Sequence, residues 1–310
     1  MNIIYLLIFP GFLFLGALGM VYEWVDRKLY AKLQNRVGPP MYQPFADLLK
    51  LLAKERISPE RADMRVFVLA PVFAAAAVLT SFLYIPIWKN AALFSFEGDL
   101  IVVIYLLTIP TLAFFMGAWS SSSPFATVGS VRVVTQLFAY EAPLLVALIC
   151  PAILAGTWSM SGIAEYFTQH PGLIPLNIVG FAVALVGLQG KLERLPFDIP
   201  EAETEIAAGA FTEYSGKSLA LFRLTIDMEL VVGSALISAV LLGGSLGAHG
   251  IAGLLIFFAK TGVIVFLLAL AKTVLARLRI DQMISFCWKY LVPLGLLQLF
   301  VNILIKGAMQ

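Results

Sequence analysis

GIAGLLIFFAKTGVIVFLLALAK, residues 250–272, decides the fold. From Gly250 to Ala271 its only ionisable side chain is Lys260. A helix rises 1.5 Å per residue, so about 20 apolar residues cross the ~30 Å hydrocarbon layer of a bilayer. Seven further runs of this kind fall at 2–24, 66–88, 99–119, 133–156, 174–191, 219–242 and 287–306. The sequence predicts an all-α polytopic membrane protein with eight transmembrane helices and a single integral membrane domain over residues 1–310.

Composition agrees. The chain is 60% hydrophobic and 13% charged, where a soluble domain carries about 25% charged residues, and its mean hydropathy is +0.92. This excludes a soluble enzyme. Residues 1–22 lack a basic leader and are followed by charge instead of a small-residue cleavage site, so they read as a retained first span. Cys150 and Cys287 stand far apart in apolar runs, no CxxC occurs, and His170 and His249 are isolated. The residues therefore predict no metal, iron–sulfur or haem centre in this chain, and no nucleic-acid partner is expected.

Lys and Arg orient the chain in the cell membrane. With both termini outside, eighteen basic residues lie in or beside the four inner loops, only Lys89 and Lys306 lie outside, and Lys260 is left within a span. That is a strong positive-inside bias. In the first inner loop, PFADLLKLLAKE (44–55) sets Phe45, Leu48, Leu49 and Leu52 on one helical face and Asp47, Lys50 and Lys54 on the other. It is too short to span, and reads as an amphipathic helix lying on the bilayer or against a partner. The outer loops are brief and nearly uncharged, so partners are expected on the inner face.

The third inner loop is unlike the rest. KLERLPFDIPEAETEIAAGAFTEYSG (191–216) carries Glu193, Asp198, Glu201, Glu203, Glu205 and Glu213, six of the chain's nineteen acids. Asp198, Pro200 and Glu201 resemble a helix start, with Glu201 and Glu205 then on one face. The acids are either caps and solvated groups, or a cluster whose repulsion and partial burial make proton sites. Within the spans, Glu141 of the fourth and Asp227 and Glu229 of the sixth fall in one layer, some 12–15 Å deep, and Lys260 lies near the middle of the seventh. Charges at such depth mark either a polar path or a structural ion pair, for example Lys260 with Asp227 or Glu229. Arg132, Gln136 and Tyr140 recur every four residues, so one face of the fourth helix turns inward.

Four inner segments in combination resemble the subunit 1 family of respiratory complex I, whose bacterial members are called the H subunit. They are NRVGPP (35–40) with QPFADLLKLLAKE (43–55), VGSVRVVTQLFAYE (128–141), ERLPFDIPEAETEIAAGAFTEYSG (193–216) and RLRIDQMISFCWKYLVPL (277–294). The resemblance implies an ion-coupling channel that includes Glu141, Glu193, Glu201, Glu203, Glu205 and Glu213, to which Asp198, Asp227, Glu229 and Lys260 are added from their placement. It also implies a docking face of Arg36, Asp47, Lys50, Arg194, Arg277, Arg279 and Asp281, to which Arg132 is added from its place in the second inner loop. The partners implied are cytoplasmic iron–sulfur and large catalytic subunits and antiporter-like membrane subunits. Iron–sulfur clusters, and in one branch a NiFe centre, would reside in those partners.

Three departures are informative. VGPPMYQPFAD (37–47) is contracted, as in the branch of membrane-bound [NiFe]-hydrogenases and sulfane sulfur reductases. Ile226 stands where an acid is usual, and Asp26 where a glutamate is. The expectation is a non-catalytic membrane-anchor and coupling subunit of a ferredoxin-oxidising, complex I-like oxidoreductase. The alternatives are a quinone-reducing member of the same family, an independent ion-coupled transporter, and a purely structural anchor.

Overall fold

The computed structural model describes residues 3–201 and 203–309, and no strand occurs among them. The helices are α1 (Ile3–Leu7), α2 (Phe12–Leu33), α3 (Gln43–Ala53), α4 (Met64–Phe82), α5 (Asp99–Ser120), α6 (Pro124–Ala155), α7 (Met160–Gln169), α8 (Ile178–Lys191), α9 (Glu203–Ile206), α10 (Gly216–Leu241), α11 (Gly250–Val274), α12 (Ile280–Phe286) and α13 (Val292–Met309). Eight stretches among the described residues are long and apolar enough to cross a membrane, at Tyr5–Leu33, Met64–Phe82, Asp99–Ser120, Pro124–Ala155, Pro171–Lys191, Gly216–Leu241, Gly250–Val274 and Ile280–Ala308. The chain is a multi-pass membrane protein.

Edges differ from the sequence reading for physical reasons. α6 begins at Pro124, nine residues before the predicted span, because proline suits a first helical turn after Ser123. At 32 residues it is about 48 Å long, well over the hydrocarbon thickness. The last span begins at Ile280, since a π turn at Cys287–Leu291 joins α12 to α13 without a break. Asp281 and Lys289 hide that beginning from hydropathy. Pro71, Pro110, Pro143 and Pro151 lie inside helices, which neighbouring helices make tolerable in membranes.

Alternating spans bring the loops 34–63, 121–123, 192–215 and 275–279 to one end. They are stitched there by Ile57 N to Ser215 Oγ (2.8 Å), Asp63 N to Ser120 O (3.0 Å) and Leu278 N to Pro196 O (2.9 Å). The opposite end is tied by hydrogen bonds, with no ion pair there among the described residues: Glu97 accepts from Trp158 N at 2.8 Å and Asp99 from Met160 N at 2.6 Å. Asn90 donates to Thr168 Oγ1 at 2.8 Å and accepts from Ser245 Oγ at 2.6 Å, and Asn302 donates to Asn177 Oδ1 at 2.8 Å.

α10 is the axis, packed against α2, α3, α4, α6, α7, α8 and α11 and almost wholly buried. Small residues permit the tight crossings. A Cβ on Gly19 of α2 would come within 3.0 Å of the Asp227 backbone on α10, and one on Gly129 of α6 within 2.5 Å of Ala210 N in the acidic loop. Gly262, on the outer face of α11, has nothing within 4 Å of such a Cβ. Gly129→Ala and Gly19→Ala are therefore expected to lower unfolding stability in detergent by about 1–3 kcal/mol each, the usual cost of overpacking. Gly262→Ala should leave the melting temperature unchanged.

Candidate functional site

α2, α3, α8, α10, α11 and the acidic loop enclose a cavity of about 390 Å³ at the loop end. Its walls carry charges of both signs, from the half-exposed Arg27, Asp47 and Arg223 to the buried Glu23, Arg194, Lys191 and Glu229, which need partners. Arg194 is the node. Its guanidinium pairs with Glu23 at 2.5 Å and Asp26 at 2.8 Å. Glu23 also pairs with Arg27 at 2.7 Å, Arg27 with Asp47 of α3 at 3.1 Å, and Asp26 with Lys272 of α11 at 3.1 Å. One alternating chain thus links the first span, the surface helix, the acidic loop and the seventh span.

The end of α8 explains how the loop reaches inward. Leu192, Glu193 and Arg194 return their amides to Leu188, Gly190 and Gln189 carbonyls, and Glu193 sits in the left-handed region at φ 51°. The turn folds Glu193 and Arg194 back toward the cavity. Burial raises the Glu193 carboxyl well above its ordinary range, the negative charges of Glu201, Glu229 and Asp198 raise it further, and Lys191 opposes them. Although burial works against the charged form of Arg194, Asp26 and Glu23 outweigh it and hold the guanidinium protonated. Asp198 and Glu201 also line the cavity, Glu201 paired with Arg223 at 2.8 Å.

Asp227 and Glu229 both border this cavity. Glu229 is sealed against Lys191, the last residue of α8, at 2.9 Å, with both side chains at 3% exposure or less. Lys191 Nζ donates as well to the Leu107 carbonyl of α5. Lys191 also lines a second, small void of about 30 Å³ that holds Glu141, Tyr140 and Thr108. The inward face of α6 is polar as its spacing predicts. Gln136 donates to Gly190 O at 2.8 Å, and the Tyr140 hydroxyl meets Thr111 Oγ1 at 3.1 Å.

The remaining predicted residues divide. Glu201 and Glu205 do not share a helical face: Glu201 lies before the helix, which is only Glu203–Ile206 and is stopped by Ala207 in the left-handed region at φ 58°. Glu205 points outward to Arg132 at 2.7 Å and Arg277 at 3.6 Å, which hold its carboxyl below the usual range. Arg132, Glu205, Arg277, Arg279 and Asp281 line an outer hollow of about 490 Å³, on the side expected for docking. Arg36 and Lys50 are exposed. Asp47 and Arg194, expected on the docking face, belong to the cavity. Glu213 is half-buried and lines none of these spaces. The side chain of Glu203 lies outside the described residues.

Lys260 lies apart from the acid layer. It donates to the carbonyls of Leu242 (2.5 Å) and Gly244 (2.7 Å) at the far end of α10, so the ion pair with Asp227 or Glu229 considered for it is not formed. Lys191 takes that place. Sequence reasoning missed Glu23, Arg27, Lys191, Arg223 and Lys272 as site residues because they read as span edges. The i,i+4 pair Glu23–Arg27 was the available signal. Among the described residues no group of three or more His, Cys, Asp or Glu is placed to hold a metal ion.

A family model described as NADH dehydrogenase matches residues 4–303. The chain belongs to the NADH dehydrogenase family. Within it, the chain is 34% identical over 308 residues to the H subunit of NADH-quinone oxidoreductase from Dehalococcoides mccartyi strain CBDB1, covering 97% of this chain and 85% of that one. It is 36% identical over 292 residues to the first of the H subunits of Rhodopseudomonas palustris strain BisB5, covering 92% and 90%. In structure it matches a chain of the membrane-bound sulfane sulfur reductase, an archaeal respiratory membrane complex. The TM-score is 0.84 at 26% identity, over 94% of this chain and 96% of that one. This member of the NADH dehydrogenase family is thus a membrane subunit like the H subunit of complex I.

Two outcomes follow from the site. Lys191→Met or Glu229→Leu alone strands a buried charge and should cost about 3–5 kcal/mol, whereas the double substitution should recover most of the loss in a double-mutant cycle of detergent unfolding. For Glu193, the folded carboxyl binds its proton to higher pH than the unfolded one, whose value is near 4.5. Stability contributed by the protonated form is therefore complete below that value and declines as pH rises through the window up to the raised folded value. Glu193→Gln should flatten that decline in melting temperature against pH.

Proposed function

We propose that this chain is the membrane-anchor and coupling subunit of a complex I-like, ferredoxin-oxidising respiratory complex of the hydrogenase or sulfane sulfur reductase type. The observation that carries the reading is Lys191. It lines both the charged cavity at the loop end and the largely apolar void of Glu141, so one cation stands between the two sets of acids. The loop end faces the cytoplasm, as the basic residues indicate, and the outer hollow of Arg132, Arg277 and Arg279 receives the iron–sulfur and large catalytic subunits.

The chain itself forms and breaks no substrate bonds. Electron transfer in the docked subunits shifts the acidic loop or the charge above it, and Glu193, poised by burial, gains or releases a proton. The Lys191–Glu229 pair then loosens or tightens. Glu141, on the other side of Lys191, passes the change to an antiporter-like neighbour that moves protons or sodium ions. The contracted loop between Val37 and Asp47 and the sulfane sulfur reductase likeness support the ferredoxin branch.

In the assembled complex, Glu141→Gln and Glu193→Gln are expected to abolish most ion translocation into vesicles while ferredoxin-dependent electron transfer continues. Full pumping in both variants defeats the coupling role. A second reading, a quinone-reducing complex, is favoured by the higher identity to NADH-quinone oxidoreductase subunits. Nickel and iron content per copy of the chain, with quinone reduction assayed on the same preparation, separates the two. Iron with quinone reduction and no nickel selects the second.

A further inference from the structure

The surface between α4 and α5 carries a feature that the coupling path does not use. A groove of about 410 Å³ runs there, floored by Ala70 and Ala113 and walled by Leu69, Phe73, Leu112 and Met116. It exists because small residues bring the helices together at its base, where a Cβ on Gly117 would lie 3.3 Å from the Ala70 methyl and 2.4 Å from the Tyr214 hydroxyl. The walls stand out from the surface, with Phe73 61% and Met116 52% exposed.

Among the described residues Arg65 is the only polar one lining the groove, and it closes the loop end. It is exposed, and none of the ion pairs found among the described residues includes it. Along α4, Arg65 to Phe73 spans about 12 Å, close to the ~15 Å of one bilayer leaflet. A packed helix is 10–12 Å across, so 410 Å³ would accept only about one turn of it. An extended hydrocarbon chain fits both the length and the section.

We propose that this groove is a site for one anionic phospholipid of the loop-side leaflet, an acyl chain lying between α4 and α5 and the phosphate on Arg65. The apolar lining supplies retention, and the unpaired guanidinium supplies the preference for negative headgroups.

The test is native mass spectrometry of the complex purified in mild detergent and supplied with phosphatidylglycerol or phosphatidylcholine. The wild type should retain phosphatidylglycerol about fivefold more strongly, the factor one basic group supplies at an anionic surface. Arg65→Gln should remove that preference while the chain stays assembled, and Ala113→Phe should remove retention of either lipid. Met116→Trp narrows the same groove from its exposed wall and serves if the buried substitution disturbs assembly. Equal retention of the two lipids by the wild type overturns the proposal. So does a preference that survives Arg65→Gln, or a cross-link from Met116→Cys to a helix of a neighbouring subunit.

Discussion

Everything at the loop end hangs on a guanidinium taken out of water. Arg194 is held between Glu23 and Asp26 of the first span, and the chain of opposite charges continues from there to α3 and α11. A buried charge is costly unless paired, and removing one partner exposes the full penalty. The loop 192–215 is therefore not free to lie anywhere: its course is set by where Arg194 must go. The left-handed Glu193, the inward Asp198 and Glu201, and the closing of the cavity by α3 follow from that placement.

The same logic separates two kinds of acid in one segment. Glu205 lies outside, beside Arg132 and Arg277, and stays ionised. Glu193 lies inside among like charges and is biased toward its neutral form. Only the second kind, raised by burial and like charges, has its protonation set by the field of its neighbours. One short stretch of sequence thus holds both a docking contact and a titratable group, distinguished by which way a tight turn faces them.

The fold was legible because hydropathy over 20 residues is a strong signal, and all eight spans lie where the apolar runs place them. Their ends were less so. A polar helix end such as Ile280–Lys289, or the Pro124–Arg132 turn of α6, has no apolar pattern to announce it. The candidate site was legible in its acids and obscure in its cations. Lys191 and Lys272 look like topology signals at span ends, and nothing local shows that one neutralises Glu229 and the other Asp26. Lys260 looked like the partner in the acid layer because depth can be counted along a helix, whereas azimuth and neighbour cannot. Glu201 and Glu205 were expected on one face of a helix that the left-handed Ala207 and Gly209 keep to a single turn.

The two ends of the bundle are held by different chemistry. Every ion pair found among the described residues lies in the inner loops or around the cavity beneath them, while the far end is closed by hydrogen bonds alone, from amides and hydroxyls, to the Glu97 and Asp99 carboxylates, and from Lys260 and Lys306 to backbone carbonyls. Salt screens exposed pairs such as Arg132–Glu205 and leaves neutral hydrogen bonds nearly untouched. The protein is in effect a rod clamped at one end and electrically fastened at the other. A change in ionic strength or in a partner's charge acts first on the exposed pairs of the fastened end, and the hydrogen bonds of the clamped end keep the helices in register.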